Sequence, residues 1–259
     1  MITNFLVTGD THGRVLERLC WVDSKKYPPE ETALIILGDA GINFYLNKTD
    51  YKNKKAIQET GYTIYCVRGN HEERPENIFS NLVEYDDEVG NYILSERDFP
   101  NIKYFIDGFN YTINGRSALV IGGAYSVDKW YRLERAGLTE AANNPEVTGW
   151  FPDEQLSEGE KENIRKEHFS KSYDIILTHT APISCEPTEL FIPGLDQSTV
   201  DKSMEEFLEE VKNNVGWKLW LCGHYHANMT LANKIQMLYY SIHNLEDLWS
   251  KWNGDEINE

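Results

Sequence analysis

Five short apolar runs in this chain each lead into a metal-ligand residue type, most of them through a glycine, and this recurrence restricts the possible folds more than any other feature. Residues 2–8 are followed by Gly9, then Asp10 and His12. Residues 33–37 are followed by Gly38 and Asp39. Residues 62–67 lead through Arg68 and Gly69 to Asn70 and His71. Residues 173–178 lead directly to His179, and residues 217–222 lead through Gly223 to His224 and His226. Continuous apolar runs of strand length suit strands buried on both faces. Residues 14–24 place Val15, Leu16, Leu19, Cys20 and Val22 at helical spacing, and residues 50–60 read as a second helix. Strand, helix, strand, helix, strand predicts a parallel α/β sheet. In open α/β sheets ligands bind beyond the carboxyl ends of the strands, so all five loops can converge on one cleft.

The residue types in those loops carry the chemistry. Five of the seven histidines lie in them, the exceptions being His168 and His243. A lone histidine after a strand is usually structural. Two Asp, one Asn and five His at strand ends are not explained by turn chemistry. Carboxylate, amide and imidazole together suit a mixed N/O site for manganese, iron or zinc. Eight such groups exceed the needs of one ion. They suffice for two ions sharing a carboxylate, with groups to spare for acid catalysis, and two-metal centres are a standard device for attacking phosphate esters.

The rest of the chain reads differently. Short β-like runs within residues 81–123, punctuated by Asp107-Gly108 and Asn114-Gly115, predict a β-meander. Residues 126–151, rich in Trp, Tyr and Arg, predict a long ordered insertion. A polar helix is expected over 152–170, a Pro-containing loop over 180–198, an amphipathic helix over 199–214 and a closing hairpin over 229–240. The segment after Asn244 reads as an acidic, weakly patterned tail. Tyr125, Trp130 and Arg132 are candidates for a substrate wall, with rings stacking on a base and the cation meeting phosphate. An ordered surface insertion is the plainer alternative. Arg14 and Arg74, inside the motif loops, are candidates for phosphate contact or for surface salt bridges.

With 259 residues, 41% of them hydrophobic, the chain suits one large domain or two small ones. A net charge of −17 without a Lys/Arg block disfavours long duplex nucleic acid as substrate. Cys20, Cys66, Cys185 and Cys222 are scattered and predict free thiols. No run is long enough to span a bilayer, and Met1-Ile2-Thr3-Asn4-Phe5 lacks a basic leader, so a cytoplasmic protein without membrane partners is expected.

Gly9-Asp10-Thr11-His12-Gly13, Gly38-Asp39, Gly69-Asn70-His71-Glu72, His179 and Gly223-His224-Tyr225-His226 resemble, in order, the five motifs of the calcineurin-like metallophosphoesterase superfamily. The resemblance spans positions 9 to 226. It implies an α/β fold, a β-sandwich of two mixed sheets flanked by helices, with the meander in the second sheet. It further implies a single domain over 1–259, with an insertion around 126–151 and a short acidic C-terminal tail. By the same resemblance Asp10, His12 and His226 hold a first metal, Asn70, His179 and His224 a second, and Asp39 bridges them. His71 then serves the leaving group or the transition state, and a metal-bridging hydroxide attacks a phosphomonoester or phosphodiester. Two divalent ions, manganese by preference with iron or zinc as alternatives, are the implied cofactors, and a nucleotide-type or other small phosphoester is the implied substrate. Arg68-Gly69-Asn70-His71-Glu72 also resembles the serine/threonine phosphoprotein phosphatases. That branch carries Asp and Arg where this chain has Ile42 and Asn43, so the chain is more similar to small bacterial or phage metallophosphoesterases. A phosphoprotein phosphatase and a metal-bound interaction scaffold are the alternatives.

Overall fold

The computed structural model describes residues 1–78, 83–137, 144–191, 193–194 and 197–254. Parts of four expected features lie outside the described residues: 81–82 of the meander, 138–143 of the insertion, three positions of the loop at 192, 195 and 196, and 255–259 of the tail. The chain opens with β1 (Asn4–Thr8), α1 (Val15–Cys20), β2 (Thr32–Leu37), α2 (Lys48–Glu59), β3 (Thr63–Val67) and α3 (Pro75–Ile78). Five strands follow: β4 (Val83–Asp86), β5 (Asn91–Glu96), β6 (Phe99–Tyr104), β7 (Asn110–Ile113) and β8 (Arg116–Ile121). Next come α4 (Lys129–Arg135), α5 (Pro145–Thr148), α6 (Glu158–His168), β9 (Ile175–Thr178) and α7 (Ser203–Asn214). The last elements are β10 (Leu219–Cys222), β11 (Met229–Ala232), β12 (Ile235–Met237), β13 (Ile242–Asn244) and α8 (Leu245–Asn253).

These strands form two mixed sheets. The first has the order β13-β1-β2-β3-β6-β5-β4, the second β11-β12-β10-β9-β8-β7. β1, β2, β3 and β6 run parallel, as do β8, β9, β10 and β12, and antiparallel strands complete each sheet. The doubly buried pattern of the runs has a direct cause. Alternate residues Val7, Ile35, Leu37 and Val67 face a shared core with Val120, Leu177 and Leu221 of the other sheet. Their neighbours Leu6, Leu34, Ile36 and Ile64 pack outward against Val15 and Leu19 of α1 and Ile57 of α2. On the far side, Leu119, Ile176 and Trp220 pack against Met204, Phe207, Leu208 and Val211 of α7. Each such side chain contributes roughly 1.5–3 kcal/mol when fully buried. A sandwich with a helix layer on each outer face is the result.

Two expectations are corrected. The meander does not lie in one sheet. β4, β5 and β6 extend the first sheet through a parallel β3–β6 pairing, and only β7 and β8 belong to the second. The segment after Asn244, expected as an acidic, weakly patterned tail, carries a helix. Asn244 caps α8 by accepting from the Glu246 amide, and Leu245 and Leu248 of α8 are buried against the inter-sheet core. Three of the four thiols are buried and Cys20 is exposed, all of them free. Among the described residues no helix is long and apolar enough to cross a membrane.

Candidate metal centre

The five motif loops are tied to one another through the backbone. The Asp39 carbonyl accepts from the amides of Thr11 and His12 at 3.1 and 2.8 Å. Asp39 Oδ1 accepts from the amides of Asn70 and His71, both at 2.8 Å. Asp10 Oδ1 accepts from the His224 amide at 2.9 Å, and the His179 carbonyl accepts from Gly223 at 2.8 Å. These ties hold a strained set. His12, Asp39, His224 and His226 have φ of +46°, +49°, +72° and +54°, four of the eight left-handed non-glycine residues among those described. Such conformations cost about 1–3 kcal/mol each and persist where the surroundings over-determine them.

The strain converges donor atoms. His12 Nε2 and His226 Nε2 lie 2.8 Å apart, and Asp10 Oδ2 is 3.8 and 3.3 Å from them. Asp10 Oδ2 is buried and has no hydrogen-bond partner. A buried carboxylate oxygen left unpaired is costly, and two imidazole nitrogens facing each other are compatible only through a shared proton or cation. Beside this group, His179 Nε2 is 2.8 Å from Asn70 Oδ1 and 3.6 Å from Asp39 Oδ1. Asp39 Oδ2 lies 3.8 Å from His12 Nε2, so its two oxygens face different groups. His179 Nδ1 lies 2.8 Å from the Leu37 carbonyl; donating there leaves Nε2 free as a ligand atom. The His224 ring lies 5.0 Å from that of His179. Asp10, His12 and His226 are placed to hold one ion, and Asp10, Asp39 and His179 converge on a neighbouring position. Unpaired oxygen, facing nitrogens and mixed donors fit divalent metal.

Electrostatics agree. Burial alone would raise the Asp39 carboxyl, but His179, His71 and His12 hold it well below the usual carboxylate range. Burial opposes a charged His179, yet Asp39 and Asp10 push its imidazole up to about 9. The pocket therefore draws positive charge. Burial and the neighbouring His179 hold His224 down to about 3, keeping it in the neutral form that ligates metal.

The model of one protein family, described as calcineurin-like phosphoesterase, matches residues 3–228. The chain belongs to the calcineurin-like phosphoesterase family. It is accordingly a metal-dependent phosphoesterase, a hydrolase that uses divalent ions. One chain of known structure aligns over 95% of this chain and 96% of its own, at 14% identity and a TM-score of 0.46. No curated protein matches.

In this family member two supporting residues, Ser126 and Glu154, escaped the sequence reading. Asn70 Nδ2 donates to Ser126 Oγ at 2.8 Å, and Ser126 Oγ donates to Glu154 Oε2 at 2.5 Å. This relay turns Asn70 Oδ1 towards His179. Ser126 follows β8, one more strand whose carboxyl end meets the centre, so the strand-end rule could have found it. Glu154 had no local signal. Glu72 is buried, and its Oε1 faces the amides of Ala40 and Gly69 at 3.4 and 3.3 Å, linking the loops of Asp39 and Asn70. Burial, then Asp39, pushes its carboxyl up to about 7.

A cleft of ≈ 670 Å³ opens over the centre, lined by Asp39, Asn70, His71, His224 and His226 together with Tyr125, Trp130, Leu190, Phe191 and Lys202. Tyr125 and Trp130 are among its lining residues; the lining by Glu186, Leu190, Phe191, Thr199 and Lys202 was not foreseen. The three arginines expected to meet substrate do not line this cleft. For Arg74 the salt-bridge alternative holds and the phosphate contact is a correction: its guanidinium is taken up by the Asp153 and Gln155 carbonyls and by Glu160 at 2.6 Å. Arg132 is another, bound to Asp128 at 2.7 Å and to the Gly149 carbonyl at 2.6 Å. Arg14 is exposed just before α1. His168 is structural, its ring nitrogens each 2.6 Å from the Tyr173 hydroxyl and the Gly108 carbonyl.

Proposed function

We propose that the chain hydrolyses a small phosphoester of nucleotide type at a two-metal centre. The observation that carries this reading is the split of Asp39, whose Oδ2 faces His12 while Oδ1 faces His179. Asp10, His12 and His226 would hold one ion, Asn70, His179 and His224 the other, with Asp39 shared. The mixed oxygen and nitrogen donors suit manganese, with iron or zinc as alternatives. Two such ions, when bound, supply a hydroxide nucleophile at neutral pH and offset charge on the phosphoryl oxygens. The test is metal analysis after reconstitution with manganese. About two equivalents per chain are expected; saturation at one would end the dinuclear reading.

The chain's own residues then bind, orient and move protons. The His71 amide is anchored to Asp39, and His71 lines the cleft with its ring 5.6 Å from that of His12. From there it reaches the leaving-group oxygen of a bound ester and can donate a proton to it. Ile42, buried in the core, offers His71 no carboxylate partner, which disfavours the phosphoprotein phosphatase alternative. General acid catalysis contributes roughly 10²–10⁴-fold and matters most for basic leaving groups. His71→Asn is therefore expected to slow an alkyl phosphate far more than a p-nitrophenyl ester, with metal content unchanged. A leaving-group series on both proteins checks this. Equal slopes with a uniform rate loss would make His71 a positioning group, and loss of metal would make it a ligand.

A further inference from the structure

Beyond His226 the centre borders a second aromatic surface that shares no other residue with the cleft. Tyr239 stacks on the His226 ring at 4.7 Å and 16°. Tyr240 lies 4.0 Å from Tyr239, and Trp21 lies 6.4 Å from Tyr240, all between ring centroids. Trp21 and Tyr240 are 51% and 40% exposed. A charged side chain lies beneath them. Arg18 is only 1% exposed, and its guanidinium stacks at 4.9 Å on Trp21 and 4.4 Å on Tyr240. Its Nη2 donates to the Asp10 carbonyl at 3.2 Å, while Nε and Nη1 are buried with no hydrogen-bond partner. Arg18 forms no ion pair among the described residues; exposed Glu17 on the same helix acts on it only through space. A buried cation without a counter-charge costs stability unless something nearby uses its field. Arg14, exposed, adds a second positive charge near Tyr239.

We infer that the centre takes a phosphodiester with a planar ring system on each side of the phosphorus, one ring in the cleft near Trp130 and Phe191, the other on the Trp21–Tyr239–Tyr240 platform. This deepens, and rests on, the phosphoesterase reading above. A ligand touching both surfaces must cross His226, which places its phosphate linkage over the metal-binding residues. Rings whose inner faces are occupied by Arg18 still offer their outer faces for stacking, and the two arginines favour an anionic linkage. The net charge of −17 selects against long polyanions, so a short, weakly charged dinucleoside phosphate fits better than a nucleic-acid strand.

The test compares thymidylyl-thymidine with p-nitrophenyl phosphate on the manganese-loaded protein. Trp21→Ala and Tyr240→Ala are each expected to lower the ratio of kcat/KM values, dinucleoside phosphate over small monoester, by roughly tenfold, the scale of one lost stacking contact. Trp21→Phe keeps a stacking face and should retain most of the preference, which a merely structural role for Trp21 would not require. Titration of EDTA-treated protein with thymidylyl-thymidine reads the platform without turnover. Quenching of tryptophan fluorescence is expected in the wild type and should shrink in Trp21→Phe. Unchanged ratios in the alanine variants would overturn the inference. Turnover of the monoester alone would overturn it while leaving the phosphoesterase reading in place. Turnover of neither ester would remove both.

Discussion

Asp39→Asn is expected to abolish turnover even in excess metal ion, whereas His12→Ala should retain activity that added metal partly restores. Asparagine keeps the shape of the side chain, and its carbonyl oxygen can still accept from the amides of Asn70 and His71. The fold should therefore survive. What disappears is the negative charge, which lies 3.8 Å from His12 and 3.6 Å from His179, one on each side. On the proposed two-metal reading, both ion positions would weaken together. His12 contributes to one position only, and Asp10 and His226 remain there to hold an ion at higher concentration. Lewis-acid stabilisation is worth several kcal/mol and each 1.36 kcal/mol is tenfold in rate, so a loss of about 10³-fold or more is expected for Asp39→Asn. Metal content and turnover measured across a manganese titration check this. Full rescue of the Asp39 variant would contradict its shared position.

Gly38→Ala should be strongly damaging to the motif loops. Gly38 has φ of +88°, a region that L side chains rarely adopt, and an added Cβ would overlap the His179 imidazole. That ring cannot step aside, because it is fully buried and its Nδ1 is tied to the Leu37 carbonyl. Backbone strain and overpacking together cost roughly 2–6 kcal/mol. Gly115→Ala is the control. Its φ of +75° is similar, but its Cβ would point into open space. The control should lose only the backbone part, roughly 1–3 kcal/mol. Thermal unfolding of both variants, with metal analysis of each, separates the two causes. Equal destabilisation would mean that contact with His179 is unimportant, and intact metal binding in Gly38→Ala would mean that His179 is not held by this contact.

The candidate metal ligands were legible because their signal is local. A carboxylate, amide or imidazole directly after a doubly buried strand has few structural uses, and Asp10, His12, Asp39, Asn70, His179, His224 and His226 all stand at such places. The arginines show where local signals end. Arg74 sits near motif residues in sequence, yet Glu160 claims it, while Arg132 of the insertion is held by Asp128 four positions away. Arg18, on a short helix with no motif, packs beneath Tyr240, which is more than two hundred positions away in sequence. For Arg74 and Arg18 the partners come from distant segments that the fold brings near, which sequence proximity does not reveal.

The sequence by itself determined the doubly buried strands, the loops at their carboxyl ends and the residue types that meet there, since apolar period and strand-end chemistry are read within a few residues. Only the tertiary structure decided how those strands are shared between two sheets. β6 pairs with β3, whereas β8 joins β9 in the other layer. Several short apolar strands offer similar edges, and the choice between them is made by packing across the whole sandwich. Likewise only the tertiary structure brought Ser126 and Glu154 behind Asn70, and Trp21 and Tyr240 beside His226, because those contacts join segments that no local pattern connects.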